Sequence, residues 1–199
     1  TKEDAATADP RDYWYSDGNY NYLKYLDKSW SKGRTNAMDI NLGFHYKILD
    51  FLKFESNNQV GFNNWFNESY VDPKAYGQDQ DHGSMKNENS NRRKIYSSQM
   101  LHLTHTFADI HTVDAYLGYD YDEERYWENN GKRKNIYTGA EIINAGSGEQ
   151  TAGGTKWERK NAAIYFNANY TYNDKYMAQV MVRRDGSSRF GANKRWGTF

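Results

Sequence analysis

The chain has 199 residues and 23.3 kDa, and its 26 basic and 26 acidic side chains give a formal net charge of zero. That balance gives no reason to expect nucleic acid as a partner. The absence of cysteine excludes disulfides and thiolate metal sites. Aromatic residues make up 17% of a chain whose mean hydropathy is −1.09. Such a composition fits neither a disordered chain nor a protein with a large core of its own.

The first predicted strand has the clearest pattern in the chain. In Met38-Asp-Ile-Asn-Leu-Gly-Phe-His-Tyr46 every even position is apolar and every odd position is polar or glycine. A period of two places these sets on opposite faces of an extended strand. A membrane helix needs about 18 or more apolar residues in a row, and no such run is present. A strand of a membrane barrel needs only about 9–11 alternating residues.

The same alternation predicts about six complete strands and the start of a seventh. Residues 1–33 are expected to form an extracellular loop, and 34–199 a barrel segment with strands at 36–47, 52–66, 95–107, 112–122, 161–172 and 176–184. Short turns are expected at 49–50, 108–111 and 173–175, and long polar loops at 67–94, 123–157 and 183–195. Trp196–Phe199 would open the next strand. In an antiparallel meander the short turns share one end of the sheet and the long loops the other, as in outer-membrane barrels.

The apolar face of these strands is predicted to contact lipid. Aromatic side chains on that face lie near strand ends, which is where a membrane–water interface places them. The predicted lipid-facing residues are Ile40, Leu42, Phe44, Tyr46, Leu117, Tyr119, Ile164, Phe166, Tyr172, Tyr176 and Val180. The opposite face, with Asp39 and Asn167, suits a wet or plugged lumen. A secreted β-sandwich that binds glycans would also alternate, so it remains an alternative.

Two groups of side chains are candidates for substrate binding. Flat aromatic rings suit the C–H surfaces of sugars, and the predicted loops carry Trp14, Tyr15, Trp65, Tyr70, Tyr126 and Trp127. Arg183 and Arg189 would meet polar substrate at the mouth of the lumen. The alternative for the aromatic rings is that they pack between neighbouring loops. The alternative for the arginines is that Asp185 and Gly186 shape a turn while the arginines pair with neighbouring carboxylates.

No residue pattern indicates catalysis or a cofactor, and the chain is not expected to be an enzyme. No nucleophile elbow, paired catalytic carboxylates or phosphate-binding loop is recognisable. His102 and His105 are three residues apart on a strand, so their rings would lie on opposite faces and could not chelate a metal. The acidic residues of 120–124 offer oxygen ligands for calcium, although a solvated loop is the simpler explanation.

The last forty residues resemble a known family. The strand Ala162-Ala-Ile-Tyr-Phe-Asn-Ala-Asn-Tyr-Thr-Tyr172 leads into the run Arg183-Arg-Asp-Gly-Ser-Ser-Arg-Phe-Gly-Ala-Asn-Lys-Arg-Trp-Gly-Thr-Phe199. Together they resemble the SusC/RagA family of TonB-linked outer-membrane proteins of Bacteroidota. Trp157 also fits, and residues 101–121 fit more loosely.

This resemblance implies an all-β transporter in the cell outer membrane. Its antiparallel barrel would have about 22 strands, an N-terminal plug and a SusD-like surface lipoprotein as partner. TonB–ExbB–ExbD would drive the import of oligosaccharides, or of peptides in some members. No plug or TonB-contacting segment is recognised, so the chain is expected to be an internal part of the barrel. A siderophore- or cobalamin-type TonB-dependent receptor is the rival, but it would lack the run at 183–199.

Overall fold

The computed structural model describes residues 28–73 and 82–199, which form one sheet whose strands follow the order of the chain. The strands are β1 (Trp30–Leu49), β2 (Leu52–Val71), β3 (Ser84–Phe107), β4 (His111–Lys134), β5 (Gln150–Tyr172), β6 (Tyr176–Ser187) and β7 (Trp196–Thr198). A short 3₁₀ turn lies at Ile143–Ala145. The last three strands pair antiparallel, and the predicted meander is confirmed. Among the described residues no helix is both long and apolar enough to cross a membrane.

Strands β1 to β5 are longer than the sequence predicts. Each has between 20 and 24 residues, about twice the length needed to cross a bilayer. The predicted loops at 67–94 and 123–157 are wrong in most of their length, since they contain the ends of β2 to β5. The expected loop at 1–33 ends inside β1, and its first 27 residues lie outside the described part of the chain. These strand extensions carry polar residues on both faces, which hides the period of two.

Two of the short connections are tight turns of the same type. Asn173 and Asp174 both have positive φ, 48° and 54°, and Lys175 N–H donates to Tyr172 O at 3.0 Å. Ala108 and Asp109 have φ of 48° and 59° in the other turn. Positive φ at both central residues is the geometry that joins twisted antiparallel strands, and asparagine and aspartate accept it more readily than alanine. The turns expected near 108–111 and at 173–175 are therefore confirmed.

The sheet has two chemically different faces. The register pairs Phe166 with Val182 and Ala168 with Val180, and these residues share one side, the apolar face. Their odd-numbered neighbours on β5 share the other side, the polar face. Side chains of the apolar face are exposed, as in Ile164 (47%), whereas Asn167 on the polar face is 3% exposed. All eleven residues predicted to face lipid are exposed in the structure.

The described residues divide into two compact units. The first contains 28–36, 64–73, 82–91 and 127–156. A small core in this unit consists of Tyr70, Met85 and Ile136, with Trp30, Ala140 and Ile143 packed against it. The hydroxyl of Tyr70 donates to Asp72 Oδ2 at 3.0 Å and accepts from Gly139 N–H at 2.9 Å. Burial raises the pKa of Tyr70 to about 12, because ionisation would place a charge inside the core.

The second unit contains 37–63, 92–126 and 157–199. Its apolar face carries rings close to the short turns. Tyr172 stacks on Tyr176 with ring centroids 6.4 Å apart, and Phe44 stacks on Tyr46 at 6.2 Å. Ala163 is the buried hydrophobic residue of this unit among the described residues. Apolar side chains here do not pack into a core, because the described residues form one sheet and none of them forms a second layer over it.

Candidate functional site: the polar face of β3 to β6

A chain of polar contacts crosses the polar face within the second unit. Ser98 Oγ donates to Asp120 Oδ1 at 2.8 Å, and the hydroxyl of Tyr165 donates to the same oxygen at 3.4 Å. The guanidinium of Arg183 lies over the Tyr165 ring, 5.4 Å from its centroid. Arg183 Nε donates to both oxygens of Asp185, at 3.0 and 2.9 Å. Four strands therefore hold this row of side chains in fixed positions.

A glycine allows the central tyrosine to lie flat across the neighbouring strand. A Cβ added at Gly118 would overlap the ring of Tyr165. Gly118 is buried, and Tyr116 meets the same ring edge-on with centroids 6.0 Å apart. Glycine inside a strand often marks such a close approach. The position of Tyr165, and with it the contact with Asp120, depends on this missing side chain.

A pocket of about 750 Å³ opens beside this row. Its lining includes the charged residues Asp120, Asp122, Arg183, Asp185, Lys194 and Arg195 and the rings of Tyr96, Phe190, Trp196 and Phe199. Three carboxylates and three cations balance each other, which gives the pocket mixed rather than single-sign electrostatics. Alternating charges and rings suit a ligand with both polar groups and apolar surface, such as a sugar or a peptide.

Next to the pocket, Glu124 forms the centre of an ionic cluster on the polar face. It is 6% exposed, and it contacts Arg159 Nη2 at 2.9 Å and Arg92 Nε at 3.2 Å. Tyr126 lies on the same face and stacks on Trp157 with centroids 5.5 Å apart. Loss of this buried carboxylate would deprive both guanidiniums of their shared partner, so the cluster depends on Glu124.

The acidic residues of 120–124 do not lie in a loop. They belong to β4, where alternation separates Glu123 from Asp120, Asp122 and Glu124. Glu123 contacts Arg93 Nη2 at 2.9 Å and Arg125 Nε at 2.7 Å. No group of three or more possible metal ligands is assembled among the described residues. The solvated loop expected here is wrong, because these carboxylates belong to a strand.

The two histidines lie on opposite faces, as predicted from their spacing. His102 Nε2 hydrogen-bonds to Asp114 Oδ2 at 2.9 Å on the polar face. His105 packs beside Phe51 and Phe107, with ring centroids 5.0 and 4.3 Å away. Separate partners on separate faces explain both side chains without a shared ligand.

The structure brings some of the predicted substrate-binding residues to the polar face and leaves others elsewhere. Arg183 lines the pocket, and Tyr126 lies in the neighbouring cluster. Arg189 is exposed in the connection after β6, Trp127 is exposed on β4, and Trp65 is half-buried on β2. Trp14 and Tyr15 lie outside the described residues.

Tyr70 is 2% exposed, so its placement fits packing rather than stacking on a ligand. The turn expected at Asp185 and Gly186 is wrong, because both belong to β6 and the chain turns at 188–195. The expected pairing of an arginine with a neighbouring carboxylate is confirmed for Arg183 and Asp185.

Sequence reasoning missed Tyr165, the residue at the centre of the polar row. A signal was present, because Tyr165 shares its parity with Asn167 and Asn169 on β5 and so belongs to the polar face. Arg92 and Arg159 were missed for a different reason, since neither belongs to a motif with a recognised chemistry. No sequence pattern shows that they meet Glu124, because the contact joins three strands.

Comparison with known proteins agrees with this geometry. No family model matches the chain. The TonB-dependent receptor P39 of Formosa agariphila is 32% identical over 101 residues, which are 47% of this chain and 9% of that protein. The resemblance to TonB-linked outer-membrane transporters is confirmed. Neither that receptor nor the transporters below are named as enzymes, in agreement with the prediction from the sequence.

Solved structures of the same kind share the fold. A structure of the RagAB peptide transporter matches 87% of this chain and 20% of its own, with a TM-score of 0.80 and 16% identity. The RagAB peptide importer in its "open-open" state matches 88% of this chain and 20% of its own, with a TM-score of 0.79 and 16% identity. The strands described above therefore share their fold with one part of each of these transporter chains. The chain spans 9% of the TonB-dependent receptor and 20% of each of these transporter chains.

Proposed function

We propose that this chain is a section of the wall of an active importer in the outer membrane. The observation that carries the proposal is a single antiparallel sheet with one exposed apolar face and one polar face linked by hydrogen bonds and ion pairs. Hydrocarbon suits the first face, and a watery lumen suits the second. In this proposal the residues predicted from the sequence to face lipid, the first of which is Ile40 and the last Val180, contact the hydrocarbon of the bilayer.

The chain's share of transport would be geometric rather than catalytic. Tyr165, Arg183 and the neighbouring carboxylates form a rigid polar surface beside a pocket of about 750 Å³. We propose that this surface borders the substrate path and contacts oligosaccharides or peptides. Mixed charge favours passage of varied polar substrates, because a lining of one sign would trap ligands of opposite charge.

The proposed partners follow from the resemblance to TonB-linked outer-membrane transporters. A SusD-like surface lipoprotein would deliver substrate, and TonB–ExbB–ExbD would supply energy through parts of the transporter outside these residues. The similar structures are named RagAB peptide transporter and RagAB peptide importer, so a peptide cargo is stated for those proteins. For this chain both the partner and the cargo are part of the proposal.

Uptake by the full-length transporter in its native cells tests this function. Cells should accumulate labelled oligosaccharide or peptide, and deletion of TonB or of the lipoprotein gene should reduce the rate to the background of a transporter deletion. Unchanged uptake without TonB would overturn the proposal. A variant in the pocket, Arg183→Ala, should lower uptake while leaving the amount of transporter in the outer membrane unchanged.

A further inference from the structure

Along part of one edge of β5, none of the described residues forms a neighbouring strand, and the topology explains why. β6 pairs with β5 only from Asn161 to Tyr172. Ser188 adds one more pair of hydrogen bonds to Lys160, and the chain then turns back. β5 itself begins at Gln150. The next strand of the meander therefore cannot cover the segment Gln150–Lys156, and no other strand of the described residues lies there.

The backbone groups on this edge can be assigned by alternation. Ser188 N–H donates to Lys160 O at 2.8 Å, so even-numbered residues of β5 direct their backbone groups to the β6 side. Lys134 N–H donates to Glu149 O at 3.0 Å and places odd-numbered residues on the β4 side, beyond a bulge at which Gly148 N–H also bonds to Lys134 O. In an antiparallel strand the next residue directs its N–H and C=O to the opposite side. Ala152, Gly154 and Lys156 thus direct their N–H and C=O groups toward the open edge. The segment is exposed throughout and is about 20 Å long.

The side chains of this segment do not protect the edge. Proteins usually block an open strand edge with proline, charged side chains or a bulge. Gln150-Thr-Ala-Gly-Gly-Thr-Lys156 has no proline and one charge, and its middle residues are small. The close approach that the glycines permit is to β4, because a Cβ at Gly154 would overlap Glu128 O. On the open side, the segment carries little that would keep a further strand from pairing with it.

We propose that Gln150–Lys156 binds an extended peptide substrate by adding it to the sheet as a further strand. Only a polypeptide presents alternating N–H and C=O groups at the spacing of this edge, and main-chain pairing accepts many sequences. An oligosaccharide cannot reproduce that register. This inference rests on the proposed import function and names peptides as the class recognised at this edge.

The test uses the full-length transporter, purified with its partner, and a labelled ten-residue unstructured peptide. Ala152→Pro removes one edge N–H, and proline is tolerated on the open side of an edge strand. We expect it to weaken peptide binding about tenfold, because one hydrogen bond is lost and the ring obstructs its neighbours. Ala152→Ser keeps the N–H and should bind as the wild type does.

A second measurement needs no variant. The same peptide with N-methyl groups on consecutive central residues loses its edge donors in every register while keeping its side chains. It should bind the wild-type transporter about tenfold more weakly than the unmodified peptide does. Equal binding of the methylated and unmodified peptides, or wild-type affinity in Ala152→Pro, would mean that another segment or partner covers the edge and would overturn the inference. TonB-dependent uptake by the wild-type transporter is measured separately. A negative result at the edge would therefore leave the proposed import function unaffected.

Discussion

At the level of single residues, the polar face depends on one pair that differs greatly in size. Gly118 on β4 and Tyr165 on β5 share the same space, and the ring fills the position that a side chain on Gly118 would occupy. The hydroxyl then reaches Asp120, and the ring face receives Arg183. A small change at the glycine is therefore transmitted to both charged neighbours.

Gly118→Ala should displace the Tyr165 ring and destabilise the folded barrel by about 1–3 kcal/mol, the usual cost of overpacking. The urea midpoint of the full-length transporter in detergent micelles measures the change. Gly43→Ala is the matched control, because its added Cβ would meet one atom within 4 Å, Asn57 Oδ1 at 3.4 Å. Equal midpoints for the two variants would show that Tyr165 moves aside without cost.

Tyr70 offers a second prediction for a single atom. Tyr70→Phe keeps the ring in the small core but removes the hydroxyl that accepts from Gly139 N–H. Gly139 is exposed, so its N–H can turn to water, and the loss is that of one net hydrogen bond, about 0.5–1.5 kcal/mol. Exchange of the Gly139 amide should therefore accelerate severalfold. Hydrogen exchange followed by mass spectrometry on peptides covering 135–149 measures this. Tyr137→Phe, at an exposed ring, is the control and should leave exchange unchanged.

Among the elements, the two tight turns use the same backbone with unequal residues. Ala108 adopts positive φ without the local hydrogen bonding that an asparagine side chain can supply, as at Asn173. Ala108→Gly should therefore stabilise the full-length barrel by about 1 kcal/mol, and Asn173→Ala should destabilise it by a similar amount. Urea midpoints in micelles give both values. A loss of stability in Ala108→Gly would mean that contacts of the alanine methyl group outweigh the backbone strain.

The limits of sequence reasoning also lie in the elements. Strand β1 and the C-terminal half of β5 were predictable because apolar and polar residues alternate from Met38 to Tyr46 and from Ala162 to Tyr172. The segments 84–94 and 123–134 have polar residues at both parities, so no period marks them as strands. Their stability comes from ladder bonds and cross-strand pairs such as Arg159 with Glu124. Those pairs are visible only when the register is known.

The candidate site shows the same division. Pairing of Arg183 with a neighbouring carboxylate was predictable, but the turn expected at Asp185 was wrong, because Asp185 lies two residues along the same face of β6. The meeting of Ser98, Asp120 and Tyr165 joins three strands that are far apart in sequence. Composition indicates that the polar face is wet, but only the register shows which polar groups touch.

For the whole molecule, the assignment of the two faces can be tested at two nearby positions. The chain has no cysteine, so a thiol introduced into it is unique within these residues. In the full-length transporter in outer-membrane vesicles, Phe166→Cys should react with a lipophilic maleimide and resist a charged one. Asn169→Cys, on the polar face of the same strand and half-buried, should show the opposite preference once the lumen is open to reagent.

The same pair separates the barrel from the glycan-binding β-sandwich. A sandwich buries the residues of its apolar face between two sheets, so the thiol introduced by Phe166→Cys would resist both reagents. The substitution would then cost about 3–5 kcal/mol, as large-to-small core changes do. Replacing a lipid-facing residue by a smaller one leaves no cavity, because acyl chains fill the space. The loss of stability should then stay near the transfer free energy of the apolar atoms that are removed. Reactivity and stability thus give independent answers at one position, and the exposed apolar sheet predicts lipophilic labelling with a small loss of stability.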